Sequence, residues 1–252
     1  MSGVVAGALA TPGIWVVVGA ALLAGLVRGF SGFGSGLVFM PLAGMVLDPV
    51  QAVLVLVVMD LIGPLPNLPG AARTGSPAEI ARLGTGLALG LPLGVAVLVL
   101  VPVEVFRWGI SLMGLVTVAL LVAGWRWRGG RGPKVTAAAG FVSGLVGGGT
   151  GLPGPPVILY YMASPLPVAA VRANLMMFLV MVDAGLIVIL GLSGRLEAVP
   201  MVLGLVMLLP FSLADFAGSA MFRPARAAGY RALSYALIAG AALIGLPLFA
   251  GG

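Results

Sequence analysis

GLVRGFSGFGSGLVFMPL, residues 25–42, places a glycine-dense polar knot and one arginine, Arg28, between two strongly apolar flanks. The 252-residue chain around it is 61% hydrophobic and only 8% charged, with a mean hydropathy of +1.20. Soluble domains carry about a quarter charged residues, and no stretch here is polar enough to form one, so most of the chain is expected in lipid. With neither cysteine nor histidine, disulfides, thiolate catalysis, zinc-finger sites and imidazole proton relays are excluded. MSGVVAGALATPG at the N-terminus lacks a basic region, so the first apolar run is expected to be retained as a membrane segment, not cleaved as a signal peptide.

Apolar runs cover about residues 14–30, 35–47, 50–66, 82–101, 105–125, 135–148, 152–163, 167–192, 198–221 and 230–249. A spanning helix needs roughly 20 apolar residues. Four runs fall short, and they form two adjacent pairs, 14–30 with 35–47 and 135–148 with 152–163, each joined by glycines. Each pair is expected to form a hairpin, re-entrant or fully spanning; the parity is the same either way. The other six runs are expected to cross the membrane. Loops 67–81, 126–134 and 222–231 then share one side, with Arg73, Arg82, Arg126, Arg128, Arg131, Lys134, Arg223, Arg226 and Arg231 in them or at adjoining helix ends. Arg107 and Arg195 lie opposite, each near a glutamate (Glu104, Glu197). The positive-inside rule makes the first side cytoplasmic and turns both termini outward. The net charge of +6 is therefore a matter of topology, and no nucleic-acid partner is expected. Trp108, Trp125 and Trp127 suit interface anchors.

The glycine knot occurs twice. Gly25, Gly29, Gly32, Gly34, Gly36 and Pro41 match Gly140, Gly144, Gly147, Gly149, Gly151 and Pro156 at one offset, which pairs Ser35 with Thr150. After a small gap, Asp48–Val53 resembles Leu166–Val171, and Glu79 and Pro92 correspond to Glu197 and Pro210. The chain thus reads as an all-α membrane protein of two repeats, 1–125 and 135–252, separated by a basic cytoplasmic loop, 126–134. Each repeat holds a hairpin plus three transmembrane helices. Three crossings are odd, so the second copy is inverted, as in many secondary transporters. The hairpin tips are expected to meet near the middle of the bilayer.

Unwound backbone is tolerated in a membrane only where protein or a cavity surrounds it. Free N–H groups at a helix start suit an anion. Gly32, Gly34 and Gly36, and Gly147, Gly148, Gly149 and Gly151, are expected at such breaks, whereas Gly25 and Gly29 fit equally a close-packing stripe. Arg28 lies deep in its leg, where it either faces a substrate anion or pairs with a carboxylate such as Asp60. Ser31, Ser35, Ser143 and Thr150 flank the tips as oxyanion donors or helix caps. Asp60 and Asp183, inside LVVMDLIG and LVMVDAGL, are candidates for proton coupling. Asp215 reads as an interfacial partner of Arg223, Arg172 as a snorkelling cation, and Asn174 as able to reach the cavity. Met176, Met177 and Met181 read as packing, with no metal site.

The duplicated glycine–proline pattern at Gly25–Pro41 and Gly140–Pro156, with Pro-x-x-Ala turns at Pro49–Ala52 and Pro167–Ala170, resembles the TauE/SafE family of sulfite exporters, also called the toluene-sulfonate uptake permease family. Length and hydropathy agree over nearly the whole chain. The resemblance implies a multi-pass carrier in the bacterial inner membrane for sulfite or organosulfonates such as sulfoacetate. Both termini would be periplasmic; no cofactor is implied, and a homodimer stays open. Family members usually carry a small hydroxyl or amide after each Pro-x-x-Ala turn, whereas this chain has Val53–Leu56 in the first copy and Arg172-Ala173-Asn174 in the second. The substrate site is accordingly expected at Arg28, Ser31, Gly32, Gly34, Ser35, Gly147, Gly148, Gly149, Thr150 and Asn174. An anion-selective channel and a non-transporting assembly factor are the alternatives. An enzyme is not expected, because no nucleophile has an adjacent base.

Overall fold

In the computed structural model, residues 2–125, 129, 132–162, 164–221 and 227–249 are described. They form α1 (Ser2–Leu9), α2 (Ile14–Ser31), α3 (Ser35–Ala43), α4 (Pro49–Ile62), α5 (Leu68–Thr74), α6 (Pro77–Leu100), α7 (Val103–Val122), α8 (Pro133–Thr150), α9 (Gly154–Met162), α10 (Val168–Leu192), α11 (Ala198–Met221) and α12 (Ala227–Gly245). No strand occurs among them. Five helices, α2, α6, α7, α10 and α11, are long and apolar enough to cross a membrane. Arg126, Arg128, Arg131, Arg223, Arg226 and Trp127 lie outside the described residues.

Both expected hairpins are broken helices of one design. An 18-residue leg is followed by a 9-residue arm in each case, α2 by α3 and α8 by α9. At 1.5 Å per residue the leg is about 27 Å long and the arm about 13 Å. Each leg stops at a glycine in the left-handed region, Gly32 (φ 78°) and Gly151 (φ 72°), a conformation that a Cβ disfavours. The break in the second hairpin therefore lies at Gly151. Gly147, Gly148 and Gly149 stay helical in the last turns of α8, contrary to the expectation of an unwound backbone there. A leg can carry helical glycines when another helix packs closely on them.

That packing joins the two halves of the chain. The most extensive helix contacts run between α6 and α8 and between α2 and α11. A Cβ added at Gly25 would run into the Phe211 carbonyl, and one at Gly29 into the Asp215 carbonyl. On the other side, added carbons at Gly140 and Gly144 would meet Leu83 and the Leu87–Leu91 turn, and one at Gly148 would lie 2.5 Å from the Leu91 carbonyl. The glycine stripe of each leg is thus a flat track for a helix of the opposite half. Pro92 and Pro210 sit mid-helix in the two receiving helices, α6 and α11.

The run at 50–66 does not form one spanning helix. α4 ends at Ile62 after 14 residues, and a 3-10 turn, Leu65–Asn67, leads into α5. Pro64, Pro66 and Pro69 remove backbone donors and disfavour helix at the residues before them, which composition alone conceals. α4 is the central helix. Ala52 to Met59 are all buried, as expected of a helix apolar all round.

Candidate functional site

The two elbows touch. A Cβ on Gly36, the second residue of α3, would lie 3.0 Å from Leu152 Cδ2 and 3.5 Å from the Gly151 carbonyl oxygen. A small hollow of about 50 Å³ between them is lined by Phe33 to Leu37 on one side and Gly151 to Pro155 on the other. It shares Ser35, Asp60 and Asp183 with a larger cavity of about 280 Å³. The larger cavity reaches from these residues to Asn67 in the α4–α5 connection, Arg172 near the start of α10 and Ser219 near the end of α11.

The local chemistry of the elbows explains how the inner wall is held. Gly32 N–H donates to the Arg28 carbonyl (2.6 Å) and Gly151 N–H to the Gly147 carbonyl (2.8 Å). Ser31 Oγ donates to the Val27 carbonyl (2.8 Å) and Thr150 Oγ1 to the Val146 carbonyl (2.7 Å), while the amides of Phe33 and Leu152 donate back to those hydroxyls. Ser31 and Thr150 are therefore local equivalents. The glycine alignment, which pairs Ser35 with Thr150, is four residues out of step at this point. Both hydroxyls close the ends of their legs. Neither Ser31 nor Thr150 lines the larger cavity.

Arg28 Nη1 donates to Asp60 Oδ1 at 2.7 Å, with the two side chains 20% and 18% exposed. Ser35 Oγ, in the first turn of α3, donates to Asp60 Oδ2 at 2.7 Å. The guanidinium also lies over the Phe211 ring, 5.5 Å from its centre. The carboxylate alternative for Arg28 is thus the one realised. Asp60 occupies the place beside the guanidinium and the start of α3 where an external oxyanion was expected. Carboxylates are stabilised near helix N-termini and by charge-assisted hydrogen bonds, and here two such bonds lock α2, α3 and α4 together.

The remaining expected residues divide. Arg28, Gly32, Gly34, Ser35, Asp60 and Asp183 line the larger cavity. Gly147, Gly148, Gly149 and Thr150 do not; Gly148 is occupied by its contact with α6. Nor does Asn174, which is fully buried and accepts a 2.7 Å hydrogen bond from the Ser76 backbone N–H just before α6. Asp183 is 8% exposed and accepts no hydrogen bond among the described residues. Three residues read otherwise from the sequence belong to the lining, Met176 from the packing methionines among them. Arg172, read as a snorkelling cation, stands at the cavity, and Asp215, read as a partner of Arg223 at the cytoplasmic end, faces the cavity from α11. Phe211, Ser212 and Ser219 join Asp215 there. The available signal was spacing: Phe211, Asp215 and Ser219 recur every four residues, one helix face, on a helix otherwise read only as a span.

The lining therefore carries two guanidiniums, Arg28 and Arg172, and three carboxylates, Asp60, Asp183 and Asp215. Within the described residues no group of three carboxylates, histidines or cysteines is placed to hold a metal ion. No curated protein and no solved structure matches the chain significantly. The family model for the sulfite exporter TauE/SafE matches residues 17–245, a stretch that includes both elbows and every residue of the cavity lining. With its apolar helices and shared inner cavity, the chain belongs to the TauE/SafE sulfite exporter family, a family of membrane transporters.

Proposed function

We propose that the protein is a secondary transporter of small sulfur-containing anions, sulfite or organosulfonates such as sulfoacetate, working by alternating access in the bacterial inner membrane. The observation that carries this reading is the charged cavity against the first broken helix, continuous at Ser35, Asp60 and Asp183 with the small hollow where the two broken helices meet. Polar backbone at such a break belongs beside a solute pathway, and transporters place their sites between broken helices of two repeats. The proposed repeats, 1–125 and 135–252, are supported by a helix-by-helix correspondence: α2, α3, α4, α6 and α7 follow the same order of lengths as α8 to α12 except at α4. They are supported too by the reciprocal seating of α2 on α11 and α8 on α6. Rocking one half against the other would open the cavity alternately. The basic residues of 67–81, 126–134 and 222–231 support, by the positive-inside rule, a cytoplasmic side for these loops and periplasmic termini.

Proton coupling fits the charge of the lining. Were all three carboxylates ionised, two guanidiniums would leave one net negative charge facing an incoming anion. An anion would then enter with a proton on one of them, and Asp183, buried and without a hydrogen-bond donor, is the carrier we propose beside Asp60. Arg28 and Ser35 would form the inner wall, with the Gly32 and Gly34 backbone shaping it.

Purified protein in liposomes, loaded with sulfite or sulfoacetate, tests the reading. A carrier shows saturable counterflow, in which external substrate speeds efflux of internal substrate. Large single-channel currents would favour an anion channel. Absence of flux together with a stably copurifying partner would favour an assembly factor.

A further inference from the structure

The two guanidiniums of the cavity differ in what they already hold. Arg28 is committed to Asp60 and lies over Phe211. Arg172, exposed in the second turn of α10, makes no ion pair or hydrogen bond among the described residues. Its guanidinium lies against the first elbow: a Cβ built on Gly32 would fall 2.7 Å from Nη2 and 3.1 Å from Nε. The carboxylate on its own helix, Asp183, is three turns further along, about 16 Å at 1.5 Å per residue. Asp60 is held by Arg28 and Ser35, and Asp215 is on α11, whose backbone abuts Gly29.

We infer that Arg172 captures the anion at the mouth of the cavity and sets its charge preference, while Arg28–Asp60 forms an electrically balanced inner wall. This deepens the transporter reading and rests on it. A paired guanidinium has little attraction left for a second anion. An unpaired one offers a planar fork of donors that suits two oxygens of a sulfite or sulfonate. Gly32 lets that fork approach the elbow backbone, since any side chain there would displace it. Because Arg172 is exposed, its attraction is screened by salt, unlike that of a buried pair.

The test is calorimetric titration of sulfite into the full-length protein in detergent, for wild type, Arg172→Gln and Arg172→Lys, with melting temperature as a control for folding. Arg172→Gln is expected to fold normally and to weaken binding by roughly tenfold or more, about 1.4 kcal/mol. Arg172→Lys keeps the charge without the fork and is expected to lose about threefold. The weakening of wild-type binding between about 0.05 and 0.5 M salt should largely vanish in Arg172→Gln. Binding by Arg172→Gln within about twofold of wild type, with the salt dependence unchanged, overturns the inference and leaves the transporter reading standing. Failure of wild type to bind sulfite or sulfoacetate overturns both.

Discussion

The two elbows share a backbone and differ in chemistry. Ser31-Gly32 and Thr150-Gly151 end their legs with the same left-handed glycine, the same hydroxyl-to-carbonyl bond and the same returning amide. Beyond that point they diverge. The first continues through Gly34 into Ser35, which binds a carboxylate paired with Arg28. The second continues through Leu152, 2% exposed, and Pro153 into α9, with no charge beside it in the position of Arg28, where Gly147 stands. Both breaks line the small hollow between the elbows, whereas the larger cavity and its guanidiniums sit against the first break. The shape is a backbone property and survives side-chain change; the chemistry depends on particular side chains.

Substitutions can separate these two layers. The largest effect is expected from Gly148→Val, which drives a branched side chain into the Leu91 carbonyl on α6. Overpacking of this kind costs about 1–3 kcal/mol or more, and folded protein recovered by size exclusion should fall severely. Gly29→Val should do the same to the α2–α11 seam, since its added carbon meets the Asp215 carbonyl. If one seam tolerates the change and the other does not, the equivalence of the legs fails. Next comes Asp60→Ala, which leaves a half-buried Arg28 without its partner. Loss of one member of a fully buried pair costs about 3–5 kcal/mol. Partial exposure brings the expected loss here to about 1–2 kcal/mol, seen as a lower melting temperature together with sulfite flux reduced at least roughly tenfold.

Ser35→Ala removes one of the two hydrogen bonds to the Asp60 carboxylate, costs about 1 kcal/mol, and should slow flux clearly while leaving the protein folded. Thr150→Ala at the other elbow removes only a backbone-directed bond, with a cost of about 1 kcal/mol and flux within about twofold of wild type. Equal flux losses from the two would erase the proposed asymmetry. Ser31→Ala should resemble Thr150→Ala in stability, because both hydroxyls face the carbonyl four residues back and accept from the amide two residues on, although Ser31 Oγ also lies 2.6 Å from the Phe33 carbonyl oxygen. A matched pair of small shifts in melting temperature would support the four-residue correction to the glycine alignment.

The composition and the duplicated glycines made an all-helical membrane protein with two broken helices legible, because lipid permits few backbone arrangements and glycine marks the exceptions. They drew the second break too wide. Gly147 to Gly149 look like an unwinding signal, yet α6 presents Gly86, Gly90 and Gly94 to α8, and a contact that close holds the helix together. The run through residues 50–66 looked like a span because hydropathy averages over Pro64 and Pro66. At the site, the Arg28–Asp60 pair was one of two readings that remained open. Arg172 and Asp215 were visible as charges in apolar surroundings, but which way each faced depended on helices far away in sequence.

By itself the sequence determined that this chain lies in lipid, that it is helical, and that it bends sharply near Gly32 and near Gly151, since these follow from the solvation of side chains and the sterics of single residues. Only the tertiary structure decided which glycines break a helix and which pack one, that Asp60 pairs with Arg28, and that of the two cavity guanidiniums Arg172 is the one left without an ion pair among the described residues. Those outcomes depend on which helix face meets which: α2 meets α11 across most of the helical order, and α6 meets α8 across the intervening α7. Local propensity carries no information over that separation.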